Sequence, residues 1–136
     1  MTLKLLNGNS VARKMTELLR FINSFQELDS DTELAIKSYF KKETLRKNEF
    51  IVQEGKTCSK VCFIESGLVR RFYVKEGIEI TEWIYHSNQW VTSLSSFFEQ
   101  KPSLENLQAC EKTILYSLSY QDEQKLLEYP LFSKSI

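Results

Sequence analysis

The chain has 136 residues, a length that fits one domain. Hydrophobic residues make up 42% of it, and nine Phe, six Tyr and two Trp supply large side chains for a core. This composition excludes a chain that is disordered throughout. Lys and Arg together number 18, as do Asp and Glu, so the net charge is zero. A free-standing nucleic-acid binder usually carries a basic excess, and none is visible here.

Cysteine usage and the start of the chain favour a reducing compartment. The cysteines are Cys58, Cys62 and Cys110, and the first residues, MTLKLLNGNS, lack the long apolar stretch of a secretory signal. An odd number of cysteines without such a signal argues against a disulfide framework. No segment approaches the roughly 18 apolar residues of a membrane span. We therefore expect a soluble, cytoplasmic protein with no membrane partner.

Two helices are predicted at the start, over about residues 10–40. Ser10 can cap the first helix, and Asp29 or Ser30 can cap the second. Apolar residues follow the helical period in the first helix. They are Val11, Met15, Leu18, Leu19, Ile22 and Phe25. The second helix carries Leu34, Tyr39 and Phe40.

From Glu43 onward the pattern changes to short β-type runs separated by Gly or polar breaks. The runs are 43–46, 50–53, 61–66, 68–74, 78–85, 90–93, 103–110 and 113–119. So many short strands predict a mostly β fold with flanking helices, of the jelly-roll or double-stranded β-helix type. A closing helix is predicted over about 121–128, before Pro130. Without repeats or an obvious linker, we expect a single domain over 1–136, with its β-roll at about 43–119.

One hairpin allows a prediction of strand register. The segment 75–77, Lys-Glu-Gly, fits a three-residue loop that pairs Val74 with Ile78. Strand alternation then places Arg70 opposite Glu82 and directs both side chains toward the interior of the roll. One interpretation is that the two charges bind a polar effector there. The other is a cross-strand salt bridge near an open edge, worth roughly 0–1 kcal/mol.

The stretch FIVQEGKTCSKVCFIESGLVRRFYVKEGIEITEW resembles the cyclic-nucleotide-binding domains of Crp/Fnr-type bacterial transcriptional regulators. The shared pieces are a strand running into Glu54-Gly55, a strand ending in IESGLVR, and the hairpin strand that follows. The resemblance covers about residues 15–130. It implies a β-roll of the cyclic-nucleotide-binding type and a sensor role in transcription regulation and signal transduction.

In that family a phosphate-binding cassette follows the sixth strand. It has Gly-Glu, a short helix, and Pro-Arg with small residues after it. The resemblance implies that the Arg pairs with the cyclic phosphate and the Glu binds the ribose hydroxyl, while amides at the helix start complete an anion site. The matching stretch here is WVTSLSSFFEQKPSLENLQA.

The cassette of this sequence lacks the charged residues of the family. Pro102 matches the family's proline, which places Ser103 at the Arg position. Gly-Glu falls on Thr92-Ser93 or on Ser93-Leu94, and neither choice supplies a carboxylate. We therefore expect no usual cyclic AMP binding. The serine-rich turn is either a remnant ligand cradle or an ordinary loop whose serines cap a short helix. The candidate ligand-binding residues are Arg70, Glu82, Thr92, Ser93, Leu94, Ser95, Ser96, Pro102 and Ser103.

No metal site, cofactor or catalytic residue is predicted. An iron–sulfur cluster generally needs four thiolates, and Cys62, between Val61 and Phe63, fits a small buried hydrophobe instead. His86 is the single histidine, too few for a cupin-type metal site. No Gly-x-Ser-x-Gly elbow is present, so an enzyme is not expected. A set of aromatic residues is expected in the core or in a pocket lining. They are Trp83, Tyr85, Trp90, Phe97 and Phe98.

Three functional hypotheses follow. The leading one is the effector-sensing domain of a Crp/Fnr-like regulator with an unidentified small-molecule effector or none. The resemblance implies a homodimer in the full regulator and DNA contact only through a helix-turn-helix domain, which this sequence, ending in PLFSKSI, does not contain. The second is an interaction module whose pocket is filled by side chains such as Phe97 and Leu104. The third is cyclic nucleotide binding in which Arg70 replaces the missing arginine.

Overall fold

A computed structural model describes residues 17–135 and begins within a helix, α1, at 17–23. The predicted cap Ser10 lies outside the described residues, as do the apolar positions 11 and 15. The second helix, α2 (Ser30–Tyr39), begins where the sequence predicts it. Asp29 is its N-cap, and the Asp29 side chain accepts a hydrogen bond of 3.0 Å from the backbone N–H of Thr32.

Eight strands and three short helices follow, which confirms the predicted β-rich middle and its flanking helices. The strands are β1 (Lys41–Leu45), β2 (Phe50–Val52), β3 (Lys60–Ser66), β4 (Val69–Lys75), β5 (Ile78–Tyr85), β6 (Trp90–Val91), β7 (Asn106–Ala109) and β8 (Thr113–Ser119). The helices are α3 (Leu94–Glu99), α4 (Tyr120–Leu126) and α5 (Pro130–Ser135). Strand bounds differ from the predicted runs mainly at 103–110, where the strand starts only at Asn106.

The strands form two antiparallel sheets of four, in the orders β1-β8-β3-β6 and β2-β7-β4-β5. The sheets enclose a core of small and medium apolar side chains, as a β-roll requires. This arrangement confirms the predicted fold class. The buried residues of the core are Leu45, Val52, Cys58, Cys62, Ile64, Val69, Val91, Phe97, Leu107, Ala109 and Leu115.

The first sheet is covered on both faces. Cys62 and Ile64 of β3 point into the core between the sheets, because side chains alternate along a strand. Phe63, between them, packs instead in a second cluster with Tyr116 and Leu118 of β8. That cluster also contains buried residues of α1, α2, α4 and α5. The helices therefore lie on the outer face of the first sheet.

The β4–β5 hairpin has a tighter turn than the sequence suggested. Lys75 pairs with Ile78, so Glu76 and Gly77 form a two-residue turn. Their φ angles are 53° and 78°, the positive pair that a type I′ turn requires. The predicted three-residue loop and the pairing of Val74 with Ile78 are wrong. Glu76 occupies the first left-handed position of the turn. The single glycine of this segment did not indicate that its neighbour would also have a positive φ.

A β-bulge in β5 then shifts its register against β4. Glu82 is the extra residue of β5 and has no partner in the β4 register. The predicted pairing of Arg70 with Glu82 is therefore wrong, since Arg70 lies opposite Ile84. The predicted face is wrong as well. Arg71, and not Arg70, shares its face of β4 with the core residue Val69.

Gly67 provides a test of the tight β3–β4 connection. Its φ is 109°, and a Cβ there would lie 2.6 Å from Thr113 Cα and 2.8 Å from the Lys112 carbonyl oxygen. We expect Gly67→Ala to lower the free energy of unfolding by about 3 kcal/mol, because left-handed strain and a backbone clash add. Gly77→Ala, with no atom within 4 Å of its Cβ, should cost only about 1 kcal/mol. Denaturant unfolding measures both, and equal losses would contradict the assignment of a clash.

Candidate functional site

The loop after β6 is closed by two buried serines. Ser93 Oγ and Ser103 Oγ lie 2.9 Å apart, and the two residues are 3% and 2% exposed. Ser103 Oγ donates to the carbonyl oxygen of Glu105 at 2.7 Å, so the single Ser93 hydroxyl hydrogen serves the Ser93–Ser103 contact. Ser103, at the Arg position, thus faces Ser93, which is the Glu position in one of the two alignments and the Gly position in the other.

The other hydroxyl groups of this loop also bind the chain itself. Thr92 Oγ1 donates to the carbonyl oxygen of Lys60 at 2.9 Å. Ser96 Oγ accepts from the backbone N–H of Cys58 at 2.8 Å and donates to the carbonyl oxygen of Lys101. These bonds fix the loop against Cys58 and the first residue of β3, and they occupy two of the hydroxyl groups that the sequence offered as a ligand cradle.

The remaining predicted residues of the cassette lie around this pair. Helix α3 has six residues, and Ser93 is its N-cap residue without a side-chain cap bond. The predicted short helix is therefore present, but the Ser93 hydroxyl does not cap it. Leu94 and Ser95 are exposed on its first turn. Pro102 forms an isolated β-bridge with Thr57.

Arg71 is the centre of a polar group on the inner face of the second sheet. Its Nη1 donates to Tyr85 Oη at 3.0 Å, its Nε lies 3.5 Å from Glu105 Oε2, and its Nη2 lies 4.0 Å from Glu82 Oε2. Burial raises the pKa of the Tyr85 hydroxyl, which stays neutral. Two carboxylates surround one guanidinium, so the group carries a net negative charge. Buried Arg71 Nε has no hydrogen-bond partner among residues 17–135.

Arg70 lies on the opposite face of β4. Its Nη2 is 2.8 Å from Glu79 Oε1 and 2.7 Å from Gln108 Oε1. Its guanidinium carbon sits 3.8 Å above the ring centroid of Phe72. The predicted salt bridge between Arg70 and Glu82 is absent from the ion pairs of the described residues. The structure therefore separates Arg70 from the other candidate residues.

A cleft of about 510 Å³ lies between the helices and the loop after β6. Phe25 of the α1–α2 connection and Leu94 and Phe98 of α3 line it and are exposed by 63%, 64% and 55%. Its deeper walls include Val91 and Leu118, each 1% exposed. Tyr85, Trp90 and Phe98 line this cleft and Phe97 is buried, as expected of core or pocket-lining aromatic residues. The expectation is wrong for Trp83, which is 54% exposed and is not among the described residues that line the cleft.

Glu123 is the single charged residue among the described residues that line this cleft. It is 4% exposed, and within residues 17–135 its carboxyl group accepts a hydrogen bond from Gln124 Nε2 at 3.2 Å. Burial raises the pKa of this carboxyl group. Sequence analysis missed Glu123, although helical spacing places it on the same face of α4 as Leu126 and Leu127. That spacing was the available signal.

Two of the three cysteines are core residues, whereas Cys110 is partly exposed. Cys58 and Cys62 are both 0% exposed. Burial raises the pKa of the Cys62 thiol, as is typical of an inert, structural cysteine. The prediction of a small buried hydrophobe at Cys62 is confirmed. In the part of the chain that the structure describes, no three His, Cys, Asp or Glu side chains are grouped as a metal site requires.

Comparison with protein families gives a match over most of the roll and its closing helix. The family model described as "Cyclic nucleotide-binding domain" matches residues 42–129. This chain belongs to the cyclic nucleotide-binding domain family. The family is regulatory, and the resemblance stated from the sequence is confirmed. A search of the curated proteins finds no significant match.

Solved structures share the fold of this cyclic nucleotide-binding domain. The catabolite activator protein of Thermus thermophilus is 24% identical, with a TM-score of 0.68 over 82% of this chain and 53% of that one. The N-terminal domain of a transcriptional regulator from Streptomyces coelicolor A3(2) is 18% identical, with a TM-score of 0.68 over 79% and 78%. These identities establish the fold alone.

A third structure is the regulatory subunit of a cAMP-independent protein kinase A from Trypanosoma cruzi, bound to guanosine. It is 17% identical, with a TM-score of 0.70 over 90% of this chain and 44% of that one. The present chain thus spans about half the length of the Thermus thermophilus protein and of this kinase subunit. None of the helices between residues 17 and 135 has the length and apolar character of a membrane span.

The raised pKa of Glu123 predicts a pH dependence of stability in this cyclic nucleotide-binding domain. A carboxyl group whose folded pKa exceeds its unfolded value stabilises the fold below the unfolded pKa, and this contribution is lost as pH rises through the folded pKa. We expect Glu123→Gln to reduce the fall in unfolding free energy between about pH 4 and pH 8. Denaturant unfolding across this range measures it. Exposed Glu128→Gln is the control, and equal pH profiles for both variants would contradict the prediction.

Proposed function

We propose that this chain is the effector-sensing domain of a Crp/Fnr-like transcriptional regulator and that it does not bind cyclic AMP in the family's usual way. The observation that carries the proposal is the hydrogen bond between Ser93 and Ser103. Ser93 donates to Ser103, and Ser103 donates to the carbonyl oxygen of Glu105, so both hydroxyl hydrogens are bonded within a buried site. Neither supplies the carboxylate for a ribose hydroxyl or the guanidinium for a cyclic phosphate that the family pattern provides.

The remaining cation on the inner face does not replace the missing arginine. Arg71 already faces the carboxylates of Glu82 and Glu105, which repel an incoming phosphate. Arg71 Nε lies 3.5 Å from Glu105 Oε2 but makes no hydrogen bond among the described residues. This donor and the neutral hydroxyl of Tyr85 instead suit an uncharged molecule with hydrogen-bond acceptors. Guanosine, which the Trypanosoma cruzi subunit binds, is an uncharged nucleoside of this kind. We therefore place neutral nucleosides and other uncharged polar metabolites first among the effector classes.

The contact between α3 and α4 supports a route for the signal. The ring of Phe97, in α3, meets the ring of Tyr120, the first residue of α4, at a centroid distance of 5.7 Å and an interplanar angle of 76°. A change in the loop after β6 that moves Phe97 would therefore also displace Tyr120 at the start of α4. In our proposal this shift biases α4 and α5 between two arrangements. The homodimer, the DNA contact and the cytoplasmic location expected from the sequence belong to the same proposal, as does the absence of catalysis.

A ligand-free interaction module is the second candidate. The complete burial of Phe97 favours it, because this side chain fills part of the space between the sheets. Leu104, the other residue expected to fill a pocket, is 80% exposed and does not contribute. Cyclic nucleotide binding through Arg70 has less support, because its guanidinium pairs with Glu79 on the outer face. The experiments below separate these candidates.

Restoring the family's charges tests the assignment of the two serines. We expect calorimetric titration of the native chain with cyclic AMP and cyclic GMP to give no binding heat. The double variant Ser93→Glu/Ser103→Arg should gain affinity for cyclic AMP by at least about tenfold, because a bidentate guanidinium–phosphate pair forms. The control is Ser87→Glu/Leu104→Arg, which adds the same charges at exposed positions and should gain nothing. Tight cyclic AMP binding by the native chain would overturn the proposal.

Arg71 and Arg70 provide a matched pair for the effector site. A thermal-shift screen of nucleosides and uncharged or acidic metabolites identifies a ligand, since one at about 100 times its Kd adds roughly 2.7 kcal/mol. We expect Arg71→Gln to weaken that ligand at least about tenfold, through the loss of a charge-assisted hydrogen bond. Arg70→Gln should leave the affinity unchanged. The reverse order would contradict the inner-face site, and an empty screen would favour the interaction module.

A further inference from the structure

Among the described residues, the cleft beside the helices shares with the Arg71 group only Tyr85, which lines the cleft and accepts a hydrogen bond from Arg71. It lies between α1, α4 and α5 on one side and β6 and α3 on the other. Its volume of about 510 Å³ falls within the roughly 300–1,000 Å³ of small-molecule sites. Exposed Phe25, Leu94 and Phe98 form the rim of the cleft, and its deeper walls are buried. An exposed apolar concavity of this kind commonly marks a binding site.

Aromatic rings make up much of its lining. Phe21, Trp90 and Phe98 are among seven aromatic side chains on the walls, and the rings of Phe21 and Trp90 are 6.3 Å apart at 69°. The face of an aromatic ring carries partial negative charge and attracts a cation. No Lys, Arg or His side chain lines the cleft among residues 17–133, whose side chains the structure describes. The walls therefore favour cations and apolar groups over anions.

The carboxyl group of Glu123 strengthens this preference. Glu123 is only 4% exposed. Within the described chain, its carboxyl group accepts a hydrogen bond from the neutral amide of Gln124. Burial of a carboxylate without a cation is costly. A ligand with a protonated nitrogen would supply that cation, whereas a phosphate or a carboxylate would be repelled. The cleft thus favours a cationic ligand, whereas the family's cassette binds an anion.

We propose that this cleft binds a hydrophobic amine, whose ammonium group pairs with Glu123 and whose apolar part lies between Phe21, Trp90 and Phe98. The proposal is independent of the ligand of the roll, because the cleft and Arg71 use different side chains apart from Tyr85, which lines the cleft and bonds Arg71. The site contacts α3, α4 and α5 through Phe98, Glu123 and Phe132. A bound amine therefore holds these three helices together.

The experiment uses three probes of nearly equal shape. Phenylbutylamine, phenylbutanol and phenylbutyrate are titrated into the full chain with Trp83→Phe, which leaves Trp90 as the one tryptophan. Quenching of its fluorescence reports occupancy of the cleft, and calorimetry supplies the affinity. We expect the amine to bind at least about tenfold more tightly than the alcohol, because a charge-assisted pair forms. The carboxylate should not bind.

Two variants decide the role of the named residues. Glu123→Gln should weaken the amine at least about tenfold and leave the alcohol unchanged, because the substitution removes only the charge. Phe98→Ala, at the exposed rim, should weaken both probes a few-fold without affecting folding. Exposed Glu128→Gln is the matched control and should bind the amine as the parent does. Equal binding of amine and alcohol, an unchanged amine affinity in Glu123→Gln, or no binding of any probe would each overturn the proposal.

Discussion

Burial of the first sheet on both of its faces is the constraint on which the rest of this domain depends. In β3, Phe63 packs against the helices, whereas Cys62 and Ile64 pack against the second sheet. In β8, Tyr116 likewise packs against the helices and Leu115 against the second sheet. Side chains alternate along a strand, so a slip of one residue would move each of these groups to the wrong layer. The register of this sheet thereby sets the positions of both the helices and the roll.

The same reasoning explains where prediction from sequence succeeded and where it failed. The pattern of short apolar runs predicted all eight strands, because most of them have a buried face. The β4–β5 hairpin failed, since β5 is exposed along most of its length and offers no buried face to fix its register. The turn at Glu76-Gly77 and the bulge at Glu82 then decided the pairing. Neither feature leaves a signal in the hydrophobic pattern.

The candidate residues show the same division. The resemblance pointed to Ser93 and Ser103, ten positions apart, and the structure brings their hydroxyl groups into contact. The roles of Arg71 and Glu123 were not predicted. Arg71 meets Glu105 only because β4 pairs with β7, a contact distant in sequence. Glu123 becomes a cleft residue only when α4 packs beside α2 and β8, although its helical phase alone suggested burial.

The loss of both charges from the cassette has a physical reason. An arginine at position 103 without a bound phosphate would leave a buried, uncompensated cation, which costs about 3–5 kcal/mol. A glutamate at position 93 without a ligand would likewise leave a buried, uncompensated anion, which is also costly. Two serines avoid both, since one hydroxyl donates to the other and the second passes its hydrogen to the carbonyl oxygen of Glu105. Both hydroxyl hydrogens are therefore bonded with no ligand in place. Neither position carries a charge that an anion would have to neutralise, which agrees with the uncharged effector that we propose.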